Sequence, residues 1–130
     1  MENISWPRIT LLGVGIARAG IAMHADDAVV NVNVWLTPTA ANLDPRTGGM
    51  TVFKDLWADI LPNGNNERVT AADYYELEAL VAEHTTNNWT VSYARNRATM
   101  FNSALFHKTD SFAFKDDYKS RRINLAFLFG

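Results

Sequence analysis

Between Ala28 and Leu36 the chain alternates with a period of two, placing Val29, Asn31, Asn33 and Trp35 on one face of an extended backbone and Val30, Val32, Val34 and Leu36 on the other. The β-branched run predicts a strand. Two asparagines facing one way are costly to bury unpaired, so their side must meet water, a ligand or a hydrogen-bonded network. A chain with this segment must therefore build a sheet with one apolar face, its other face either solvated or the floor of a polar cavity.

Just upstream stand His24 and Asp26. Residues two apart share a face in extended backbone, so one imidazole and one carboxylate can reach the same point. One further histidine from another strand would complete a two-histidine, one-carboxylate set that leaves positions open on iron(II). His107 is the candidate. The His-x-Asp pair alone is a weak pattern; its setting between turn and strand, the surroundings of His107 and the nearby Arg121-Arg122 pair give it weight. His84 closes a predicted helix, where the C-terminal dipole favours a cation, and is read in that role.

At 130 residues the chain fits one domain, 1–130, able to bury a core. Apolar residues make up 48% and charged residues 20%, as in a globular protein. A net charge of −2 without a long basic run argues against nucleic acid as the main partner. The absence of cysteine rules out disulfides and thiolate metal sites, so a metal would be held by His, Asp, Glu or water. That suits a reducing cytoplasm. Arg18 interrupts the apolar stretch from Ile9 to Met23, which is not read as an export signal, and no apolar run approaches the ~20 residues of a membrane span.

Residues 9–23 are predicted to form one or two strands with a tight bend, since Gly13, Gly15 and Gly20 would weaken a helix. Residues 37–49 read as a turn-rich connection, and 50–53 as a short strand followed by a loop to Val69. A helix is predicted over 71–83, with Thr70 and Asp73 as a capping box and Tyr74, Leu77 and Val81 at helical spacing. Strands are predicted over 89–95, 97–102 and 122–129. The whole reads as mainly β with one main α-helix, a double-sheet jelly roll or related barrel. On the last strand Ile123, Leu125, Phe127 and Phe129 share one face while Ala126 and Leu128 share the other. Both sides want cover, so the outer one points to a second copy of the chain or to further parts of a larger protein.

Three blocks are read together: residues 22–38 around His24-Ala25-Asp26, residues 41–49 (Ala-Asn-Leu-Asp-Pro-Arg-Thr-Gly-Gly), and residues 96–110 ending in Phe106-His107-Lys108-Thr109-Asp110, with Arg121-Arg122-Ile123-Asn124 closing the set. Together they resemble the iron(II)- and 2-oxoglutarate-dependent oxygenases, in particular a bacterial group with this His-Ala-Asp strand and closing Arg-Arg-Ile-Asn. The resemblance covers roughly residues 20 to 130.

The resemblance implies a double-stranded β-helix, cupin-like fold with His24, Asp26 and His107 as iron ligands. It implies that Arg122, with Asn124 beside it, grips the far carboxylate of 2-oxoglutarate, for which a planar guanidinium is suited. Arg121 is read as an outer surface residue. Asn31 and Asn33 become contacts to the cosubstrate or to a ligand, and Asn102 or Ser103 would support a ligand near His107. The implied reaction uses O2 and converts 2-oxoglutarate to succinate and CO2 while hydroxylating a C–H bond of a small-molecule or peptide substrate. Members of the group carry longer N-terminal regions than the ~20 residues before the pair here, and residues 54–88 are this chain's own. Three alternatives stand beside the oxygenase: a non-catalytic jelly-roll module, a cupin-type metal enzyme that does not use 2-oxoglutarate, and a zinc hydrolase.

Overall fold

The computed structural model describes residues 8–13, 20–56 and 74–130. The protein is mainly β, with seven strands in two antiparallel sheets and one α-helix among the described residues. The strands are β1 (Arg8–Gly13), β2 (Val30–Trp35), β3 (Met50–Leu56), β4 (Asn88–Val91), β5 (Ala98–Asn102), β6 (Leu105–Thr109) and β7 (Ile123–Phe129). The helix, α1, spans Tyr74–His84. One sheet runs β1-β7-β2-β5 and the other β4-β3-β6. No described helix is long and apolar enough to cross a membrane.

The period-two pattern of β2 sets how the sheets face. Asn31, Asn33 and Trp35 are buried while Val30, Val32 and Val34 are half-buried on the other side. On β7, paired with β2 in the register Asn33 to Ala126, Asn124 and Ala126 are buried. Trp35 and Phe101 from the larger sheet pack with Met50 and Val52 of β3 and with Tyr93, so this core lies between the sheets. A second core, of Phe53, Phe106, Leu77, Val81 and Met23, seats α1 on the outside of the smaller sheet. Lys108 on that outer side pairs with Glu78 of the helix.

The chain crosses repeatedly between sheets: β2 to β3, β4 to β5, β5 to β6 and β6 to β7. Residues 21–26 run along the free edge of β6. Thr109 N–H donates to the Ile21 carbonyl at 3.0 Å, and Asp26 N–H to the Ser103 carbonyl at 2.9 Å. The His24–Asp26 segment thus belongs to the smaller sheet, and the chain then crosses to enter β2 in the larger one.

Several expectations shift at their edges. The strand over 89–95 ends at Val91, because the chain turns there and the Tyr93 hydroxyl donates to the Thr37 carbonyl at 2.6 Å. The strand at 50–53 extends to Leu56, with a register shift between Val52 and Leu56 against β6. β6 itself lies where no strand was predicted. The helix continues to His84. Its expected cap at Thr70 and Asp73, the loop at 63–66, the bend at Gly15 and the side chain of His84 lie outside the described residues.

Candidate metal centre

His24 stands opposite His107 in an antiparallel bridge, each backbone N–H donating to the other's carbonyl, at 3.0 and 2.9 Å. Directly opposed residues project to the same side of a sheet. The two imidazoles therefore meet, ring centroids 4.3 Å apart. Asp26 shares that side, two residues past His24. Its Oδ2 lies 3.4 Å from His107 Nε2 and its Oδ1 3.9 Å from His24 Nε2. One ligating atom from each of the three residues can be chosen so that all lie within 4.8 Å of one another.

Each ring is oriented from behind. Nδ1 of His24 donates to the Ala22 carbonyl at 2.8 Å, and Nδ1 of His107 to the Leu105 carbonyl at 3.0 Å. A carbonyl can only accept, so Nδ1 carries a proton and Nε2 is the ring atom left to face Asp26. Two lone pairs and a carboxylate aimed at one point repel unless a cation or a further proton stands among them. Hydrogen bonds of this kind fix the tautomer and aim of metal-ligating histidines.

Burial pushes the His24 pKa down, and His107 adds to this; the Ala22 carbonyl and Asp26 oppose it without prevailing. For Asp26, burial alone would raise the pKa. The hydrogen bond and charge of His107, with smaller contributions from His24 and Asn31, outweigh it and hold the carboxyl below its ordinary value. Near neutral pH the pair is thus an ionised carboxylate beside a neutral His24 ring, the protonation state that metal ligation requires.

The cluster opens on a cavity of about 140 Å³ between the sheets. That is well below a drug-sized pocket, yet it holds more than a few waters. Arg122 lines the same cavity. It is 6% exposed, its Nε donates to the Gly48 carbonyl at 3.0 Å, and its guanidinium lies 5.1 Å from the Phe112 ring centre and 6.0 Å from that of Tyr93. Gly48 offers that carbonyl from a backbone at φ +85°, a region that suits glycine. Burial lowers the Arg122 pKa, opposed by Tyr93 and Asp110, but a guanidinium stays charged. Among the described residues no carboxylate forms an ion pair with it. Arg121, by contrast, is exposed and lies over the Tyr118 ring.

Asn31, Asn33 and Asn124 are all buried and line the cavity. Their amides bond in series: Asn124 Nδ2 donates to Asn33 Oδ1 at 2.7 Å, Asn33 Nδ2 to Asn31 Oδ1 at 2.6 Å, and Asn31 Nδ2 to Asp26 Oδ2 at 2.6 Å. Ser103 holds Asp26 through its backbone carbonyl, while the Asn102 side chain accepts from Ala104 N–H within the turn.

The structure adds Gly48, Tyr93 and Phe112, which surround Arg122, and the Met50 and Trp35 side chains on the cavity wall. The alternation of Phe112 and Phe114 was the available sign of one apolar side in 111–115. Nothing in the sequence marks Gly48 as the acceptor for an arginine 74 residues later. No protein-family model matches the chain, and no curated protein matches it.

Proposed function

We propose that this protein is an iron(II)- and 2-oxoglutarate-dependent oxygenase built on a double-stranded β-helix. Counting residues 21–26 as the strand beside β6, the described residues form two sheets of four strands joined by crossing connections, which supports a double-sheet jelly roll. The donor set fits a divalent first-row metal: two imidazole Nε2 atoms turned inward and one ionised carboxylate, without sulfur. Zinc would accept the same three ligands.

The observation that favours the oxygenase is Arg122. A buried guanidinium that forms no ion pair with a carboxylate among the described residues, on the wall of the cavity that also holds His24, Asp26 and His107, calls for an anion. A small dicarboxylate fills that need with one end at Arg122 and the other at the metal residues, and neither a zinc hydrolase nor a cupin-type enzyme requires such a clamp. Bound iron would supply the oxidative decarboxylation of 2-oxoglutarate and the hydroxylation of a substrate C–H bond.

The chain's own residues then have separate tasks. His24, Asp26 and His107 would hold the metal. Arg122, fixed through Nε by Gly48, keeps its terminal nitrogens for the carboxylate, and Phe112 and Tyr93 exclude water around that ion pair. A small-molecule or peptide substrate would approach from the mouth of this cavity. The test is uncoupled turnover: purified protein with iron(II), 2-oxoglutarate and O2 releases succinate, and Arg122→Ala or Asp26→Ala does not. Succinate release equal in wild type and both variants would dismiss the proposal.

A further inference from the structure

We infer that Asn31, Asn33 and Asn124 form a one-way hydrogen-bond relay that positions the Asp26 carboxylate, so that Asn33 and Asn124 act on the metal site without touching it. This rests on the proposed metal site. Its basis is the direction of the three bonds. An ionised carboxylate only accepts, so Asn31 must turn its NH2 to Asp26 and its oxygen to Asn33. Asn33 must then donate to Asn31 and accept from Asn124. The polarity imposed by one charged group thereby runs from β2 across to β7, and every amide in it has a single permitted orientation.

The far end supports this. Asn124 Oδ1 is buried and has no hydrogen-bond partner, although turning the amide round would exchange that oxygen for a donor. The amide is held with its acceptor unused because Asn33 takes its NH2. A group bound against that oxygen must donate a hydrogen bond to it.

The relay is tested by side-chain amide NMR of the metal-free protein together with cobalt(II) binding. Replacing Asp26→Asn removes the acceptor-only end and permits the amides to reverse. The relay predicts that the NH2 signals of Asn33 and Asn124 shift or double in that variant, although neither residue contacts position 26. Changes confined to Asn31 would overturn it. Asn33→Asp puts an acceptor-only group where the relay needs a donor and should weaken cobalt(II) binding by about 10–100-fold and alter the cobalt visible spectrum. A folded Asn33→Asp protein with wild-type cobalt affinity and spectrum would refute the positioning role. A wild-type protein that binds no cobalt(II) would defeat the metal reading and the positioning role together, while the amide signals would still decide whether the relay has a direction.

Discussion

His24 and His107 are constrained alike: each ties Nδ1 to the carbonyl two residues before it, Ala22 and Leu105, and each turns Nε2 to the same carboxylate. The likeness follows from their being opposed across one bridge, where backbone hydrogen bonds bring the two rings together. Two rings so held are preorganised as ligands, and each predicted property of the site depends on that preorganisation.

Removing one ligand should cost more than removing a supporting hydrogen bond. His107→Ala is expected to lower iron(II) affinity beyond the roughly 10–100-fold typical of outer partners. Equilibrium dialysis with iron(II) under argon measures it, and undiminished affinity would remove His107 from the site.

Arg122→Ala should weaken 2-oxoglutarate binding while iron remains bound. Arg122→Lys should restore little, since a lysine offers a point charge in place of a planar fork. Gly48→Ala should impair 2-oxoglutarate in the same direction, because a side chain at φ +85° costs about 1–2 kcal/mol and the Arg122 acceptor would shift. Calorimetric titration separates the two ligands. Weakening by Arg121→Ala in place of Arg122→Ala would place the clamp on the exposed residue.

The metal-free protein should lose stability on the acid side. His24 has a folded pKa below its ordinary value, so it contributes stability that is complete above about pH 6.5 and falls away as pH drops towards the folded value. Asp26, also depressed, adds stability that is lost at lower pH, as the carboxyl is protonated through its folded pKa. Melting temperature should therefore decline from pH 7 to 5, and His24→Gln should flatten that decline. A decline unaltered by His24→Gln would assign it to other groups.

Phe106 is fully buried between α1 and the smaller sheet, next in sequence to His107. Phe106→Ala should destabilise the fold by about 3–5 kcal/mol, measured by urea unfolding. A loss under about 1 kcal/mol would mean that α1 is not anchored there.

Much of this was legible in residues whose spacing carries a period. The alternation at 28–36 and at 122–129 showed which side chains share a face within each strand, so Asn31 could be put beside Asn33, Asn124 beside Arg122, and Arg122 apart from Arg121. The spacing of Leu77 and Val81 marked the helix and its buried side. β6 was not legible: Phe106 and His107 are both buried, one under the helix and the other in the cavity, which abolishes the alternation a half-buried strand would show. Nor was the sheet that receives His24 and Asp26, since pairing with β6 is set by contacts between distant residues. The asparagine series escaped for the same reason: the sequence shows polar side chains on one face, not which of them bond each other.

The most direct measurement is an anaerobic titration of the purified protein with iron(II) and then 2-oxoglutarate, followed by visible absorption. A weak charge-transfer band that saturates with 2-oxoglutarate, and is lost in Asp26→Ala and in Arg122→Ala, is the result the account predicts. Iron binding with no band at saturating 2-oxoglutarate would contradict it.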